Sequence, residues 1–127
     1  MKSLIPAGWM PDARMERIHV HWTAGGHKAN RTDKKSYHVL VEGTGKLVRG
    51  DKPINANARN SGMRQASHTY RANTGAIGIS MCCMAGARER PFNPGRYPVT
   101  EAQWDAAITA IAELAARYDI LVTPTTA

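Results

Sequence analysis

Arg17-Ile18-His19-Val20-His21-Trp22-Thr23-Ala24 reads as one β-strand closed by the turn Gly25-Gly26. Strand side chains alternate between faces, so Ile18, Val20 and Trp22 share one face and His19, His21 and Thr23 the other. Two imidazoles at i and i+2 look into the same space. Neutral imidazole is the commonest protein metal ligand and titrates near neutral pH, so the pair marks a candidate metal or acid/base site. The bland reading is two polar histidines on a half-exposed strand.

The rest of the chain bounds what such a site can belong to. At 127 residues, 43% apolar and 21% charged, the composition is that of one globular domain with room for a core. No apolar run approaches the ~20 residues needed to span a bilayer. The N-terminal Met1–Met10 segment, interrupted by Pro6 and Gly8, is too short and broken for a secretory signal. Synthesis in the cytoplasm is expected, and Cys82 and Cys83, adjacent in sequence and aimed to opposite faces, read as reduced core residues. Net charge is +7 and the pI near 9.9, which favours contact with polyanions such as nucleic acid or acidic wall polymers. The basic residues, among them Lys28, Arg31, Lys34, Lys35, Arg59, Arg64, Arg71, Arg88, Arg90 and Arg96, are scattered, with no helix-turn-helix or zinc-finger spacing.

Outward from the first strand, Gly25–Ser36 is polar, a loop or at most a short helix. Residues 36–42 and 46–49 read as strands joined at Gly43-Thr44-Gly45. Residues 51–75 are rich in Asn, Gly and Pro, and a loop of that length is usually functional. Residues 76–84 form a nearly continuous apolar run, the mark of a central strand buried on both faces, with Gly78 signalling close approach.

The clearest helix runs from about Thr100 to Tyr118. Thr100 is the N-cap, Gln103 completes a capping box, and Val99 and Trp104 can form a staple. Trp104, Ala107, Ile108, Ile111, Leu114, Ala115 and Tyr118 define its expected apolar face. Ile120-Leu121-Val122 reads as a further strand. The expected architecture is α+β, a central mixed sheet with the helix packed on one face. Thr123-Pro124 has the form of a helix start, so a C-terminal portion is expected beyond Ala127.

Five short motifs now fall in order. Ile18-His19-Val20-His21-Trp22-Thr23-Ala24 resembles the first strand of the zinc-dependent N-acetylmuramoyl-L-alanine amidases, which include phage endolysins and peptidoglycan recognition proteins. Ser36-Tyr37-His38-Val39-Leu40-Val41 is similar to the family's Tyr-His strand. Ala66-Ser67-His68 resembles its Ser-His loop, Asn73-Thr74-Gly75-Ala76-Ile77-Gly78-Ile79 its Asn-x-x-x-Ile-Gly strand, and Val99-Thr100-Glu101-Ala102-Gln103 its helix start. The match covers roughly residues 17 to 122. Each motif alone is weak; their order is the signal.

The resemblance implies Zn2+ as cofactor, His21 as a metal ligand with His19 outside the set, Tyr37 as a catalytic residue, and His68 and Asn73 as substrate-binding residues. It implies hydrolysis of the amide between N-acetylmuramic acid and L-alanine by zinc-activated water, in a monomeric phage lysis enzyme that reaches the cell wall by a separate route such as a holin. The family's second ligand is a His after the strand that follows the long helix, and its third a Cys or Asp further on; neither place is occupied here. The domain, residues 1–127, is therefore expected to lack the segment carrying the other two ligands, and to be nearly inactive alone. A Glu used by some members two residues after the Ile-Gly pair is Ser80 here. Two other functions compete: a non-catalytic peptidoglycan-binding module of the same fold, and a basic nucleic-acid-binding protein, which would leave the ordered motifs unexplained.

Overall fold

A computed structural model of the chain describes residues 3–122. Its centre is a four-stranded mixed sheet built from β1 (Arg17–Trp22), β2 (Val39–Val41), β3 (Leu47–Arg49) and β4 (Ala76–Met81), in the order β1-β4-β2-β3. β4 runs parallel to β1 and β2, and β2 and β3 form the antiparallel hairpin expected from the Gly43–Gly45 turn. All six residues of β4 are buried, as its continuous apolar run requires of a strand covered on both faces.

The long helix α2 (Glu101–Tyr118) forms as its caps dictate. The Thr100 hydroxyl accepts from the Gln103 amide while the Gln103 side chain accepts from the Thr100 amide. Gln103 also reaches into the sheet, its Nε2 donating to the carbonyls of Val41 and Cys82 at 2.8 Å each. The cap thereby anchors the helix over the ends of β2 and β4.

The buried stripe of α2 is Gln103, Ala107, Ala110, Leu114, Ala115 and Tyr118, rotated from the expected one. Leu114 and Ala107 lie in the core, but Trp104 and Ile108 are about half exposed, at 52% and 50%. The small side chains of Ala107 and Ala110 face Ile77, Ile79 and Met81 of β4, which allows close approach, and the larger Trp104 and Ile108 remain at the shoulder.

The expected strand over Ile120–Val122 does not form. Asp119 caps α2 in the left-handed conformation, the Ile120 amide bonds back to the Ala115 carbonyl, and Leu121 and Val122 are exposed. Among the described residues β1 is an edge strand. Its Val20 and Trp22, on the face turned toward α2, are also exposed, and Ile18, Val20, Ile111, Ile120, Leu121 and Val122 line a shallow groove between β1 and the helix.

Residues 25–36 contain the short helix that their polar sequence allowed, α1 (Arg31–Ser36), with an Asn30/Asp33 capping box, and residues 85–98 contain the miniature hairpin β5 (Arg88–Glu89) and β6 (Phe92–Asn93). Cys82 and Cys83 are both buried and unbonded, as expected of core thiols, and burial raises their pKa values to about 12 and about 11. Among the described residues, no helix is long and apolar enough to cross a membrane.

Candidate functional site

The face of the sheet opposite α2 is shaped by what β4 lacks. Ile77, Ile79 and Met81 point into the core, so alternation turns Gly78 and Ser80 toward the other side. Registered beside them on β1 are His19, opposite Gly78, and His21, opposite Ser80. With no large side chain on the central strand, rings from either side lean across it.

Tyr37 arrives from the far side. It sits at the C-cap of α1, just ahead of β2, and its ring centroid is 5.4 Å from that of His21. β4 lies between β1 and β2, and its narrow floor lets the two rings meet across it. His68 comes from above, on the long loop, with ring centroids 5.4 Å from both His19 and His21. His21, Tyr37 and His68 are thus brought together on one face of the sheet.

The loop is held by a polar network rather than by a core of its own. Asn57 is fully buried: its Nδ2 donates to the carbonyls of Ala66 and Asn73, and its Oδ1 accepts from the Ala66 amide. His38, beneath His68, accepts the Gly78 amide at Nδ1, so its Nε2 carries the proton and donates to Asn57 Oδ1. Both His38 nitrogens are committed to structure. Asn73 has its Oδ1 accepting from the amides of His68 and Thr69, which makes it a brace for the loop that presents His68.

The imidazoles are kept neutral. Burial pulls the His68 pKa down to about 4, against the opposing bond to the Ala76 carbonyl, and His21 and His19 lower it further. Burial does the same for His38, also to about 4, with His68 adding to it. His21 and His19 are shifted downward too, by burial first and then by His19 and Arg17 respectively. Neutral rings offer lone pairs.

One nitrogen each from His19, His21 and His68 lies within 4.8 Å of the other two, a cluster able to hold a metal ion. His19, set aside by the sequence pattern, stands in the site with His21. The signal for it was present in the shared parity of the strand.

A sequence profile of the N-acetylmuramoyl-L-alanine amidases matches residues 11–126. The chain belongs to this amidase family. Among solved structures, the amidase fold is shared with a crystal structure of tracheal cytotoxin bound to the ectodomain complex of peptidoglycan recognition proteins LCa and LCx. The TM-score is 0.56 at 18% identity, covering 91% of this chain and 76% of that one. No curated protein matches the chain.

Amidases of this family are typically zinc-binding. The residues of the cleft fit that metal by their chemistry: a set of imidazole nitrogens, and a His21 Nε2 that is buried without a hydrogen-bond partner. Ser80 Oγ, at the register position of His21, is a second buried polar atom without a partner.

Proposed function

We propose that this domain hydrolyses the amide bond between N-acetylmuramic acid and L-alanine in peptidoglycan, in a zinc-dependent reaction, as part of a phage lysis enzyme made in the cytoplasm and acting on the cell wall. The observation that carries the reading is His21: in a chain matched by the amidase profile over residues 11–126, its unpartnered buried nitrogen belongs to a ring that stands beside that of Tyr37.

Zinc, when bound, lowers the pKa of water toward ~7 and polarises a carbonyl. The chain's own residues do the rest. Tyr37 hydrogen-bonds the scissile carbonyl oxygen as it gains charge, an interaction stronger in the transition state than in the ground state, and its ring beside that of His21 supports this role. His68, on the rim, contacts the stem peptide, and Asn73 holds the rim in place through the amides of His68 and Thr69. The loop brings these groups to a rigid sheet, so the substrate is oriented by the fold.

A second reading is a peptidoglycan-binding module without catalysis. It is favoured by the likeness to the ectodomain complex of peptidoglycan recognition proteins that was solved with tracheal cytotoxin bound. Incubation with purified peptidoglycan separates the two. Release of new L-alanine amino termini, abolished by His21→Ala, supports the hydrolase. Co-sedimentation with the wall and no such release supports the binding module. Neither outcome, with tight salt-dependent DNA binding instead, would overturn both.

A further inference from the structure

We propose that His19, His21 and His68 together hold one divalent transition-metal ion, with two imidazoles supplied by β1 and one by the long loop. The inference rests on the zinc reading above for the presence of a metal, and departs from the family pattern in its ligands: that pattern uses the His21 position with residues after the long helix, and never His19.

Three observations carry it. One nitrogen of each ring lies within 4.8 Å of the other two. Zinc–nitrogen bonds of ~2.0–2.1 Å in a tetrahedral site put ligand atoms about 3.3 Å apart, so the rings close by up to roughly 1.5 Å, within reach of side-chain torsions on a fixed backbone. Next, the Thr69 hydroxyl lies 2.9 Å from Nδ1 of His19 and 2.9 Å from Nδ1 of His68. One group thus holds two rings by the same nitrogen and leaves each Nε2 for the ion, the outer partner that metal-binding imidazoles regularly have. The His68 Nε2 contact to the Ala76 carbonyl is long, at 3.3 Å, and is the bond given up on binding. Finally, His21 Nε2 is buried with no partner at all.

The other two of the five histidines are otherwise engaged. His38 uses both nitrogens in the Gly78–Asn57 network, and His27 bonds the Pro98 carbonyl beside Tyr97. Three imidazoles and no carboxylate select Zn2+, Co2+, Ni2+ or Cu2+ over Mg2+ or Ca2+.

The test uses the full 127-residue chain, stripped with chelator and titrated with Zn2+ alone. The expected result is one ion per chain, with ring-nitrogen resonances of His19, His21 and His68 shifting together while those of His27 and His38 hold. Mg2+ should produce no shift. His19→Ala and His68→Ala should each weaken Zn2+ binding more than ~100-fold, and Thr69→Val about tenfold. His27→Ala should leave it unchanged. Should His19→Ala unfold by circular dichroism, His19→Gln and the wild-type ring spectra decide. Zinc binding that shifts His21 alone, that survives both His19→Ala and His68→Ala at full affinity, or that does not occur, overturns the proposal. Three-histidine zinc binding without release of L-alanine termini would sink the hydrolase reading and leave this one standing. Hydrolysis that needs His21 but ignores His19 would do the reverse.

Discussion

His68 lies directly over Gly78: a Cβ built on that glycine would stand 2.5 Å from His68 Cδ2 and 2.6 Å from Cγ. The rim of the cleft is in contact with its floor, and the contact tolerates no side chain. Gly78→Ala should push His68 away from His19 and His21. The overpacking should cost about 1–3 kcal/mol in urea denaturation, and Zn2+ affinity should fall with it. An alanine variant with unchanged stability and zinc binding would show that His68 sits elsewhere in solution.

Gln103 is the second pressure point. It is fully buried, caps its own helix and ties α2 to the Val41 and Cys82 carbonyls. Gln103→Leu fills the space but orphans both carbonyls, and should destabilise the domain by on the order of 2–4 kcal/mol. Thr100→Ala, removing only the helix cap and its bond to the Gly43 carbonyl, should cost less, about 1 kcal/mol. Equal losses for the two variants would refute the anchoring role.

Acid should loosen the metal-free domain in a defined window. The folded-state pKa of His38 is depressed to about 4 from 6.5, because the ring is buried and its Nδ1 must stay unprotonated to accept the Gly78 amide. Below pH 6.5 the unfolded chain therefore takes up a proton that the folded chain refuses. Stability is full above pH 6.5, falls as pH drops toward about 4, and levels off below. The slope approaches ~1.4 kcal/mol per pH unit for one such group. His68 acts in the same direction, with a smaller effect because it is only half-buried. Urea midpoints in chelator from pH 7.5 to 4 measure this, and a flat profile would contradict it.

Tyr37→Phe tests the catalytic reading apart from the metal. The hydroxyl is not among the clustered nitrogens, so zinc stoichiometry should be retained. Loss of one oxyanion donor should slow release of L-alanine termini ~10²–10³-fold. Unchanged turnover would remove Tyr37 from the mechanism.

Much of this molecule is legible in the sequence where the signal is local. The capping box of Thr100 and Gln103, the apolar run of β4 and the hairpin turn at Gly43–Gly45 each follow from rules that act within a few residues. What escaped has non-local causes. The rotated face of α2 is set by tertiary packing: Ala107 and Ala110 join the core with β4 while the larger Trp104 and Ile108 stay exposed. Ile120–Val122 has strand composition, but composition does not supply a pairing partner. β4 inserts between β1 and β2 from far along the chain, so Tyr37 and His21 meet across a strand that their own sequence gives no hint of. Asn57 reads as a loop breaker, and its role as the hub beneath His68 depends on partners at 38, 66 and 73. His19 was visible as the companion of His21 by parity; only His68, folded over Gly78, gives it a third partner.

The outer edge of β1 has a consequence for regulation. Among the described residues no strand pairs with that side of β1, whose six residues include His19 and His21. A strand added there, from any source, would fix the segment from which two of the clustered rings project. Binding free energies are reciprocal, so whatever factor such pairing contributes to the affinity for an ion, the ion returns to the pairing. Occupancy of the cleft and occupancy of the edge would then be one equilibrium read at two places, with Val20 and Trp22 reporting on the outside what His19 and His21 hold within.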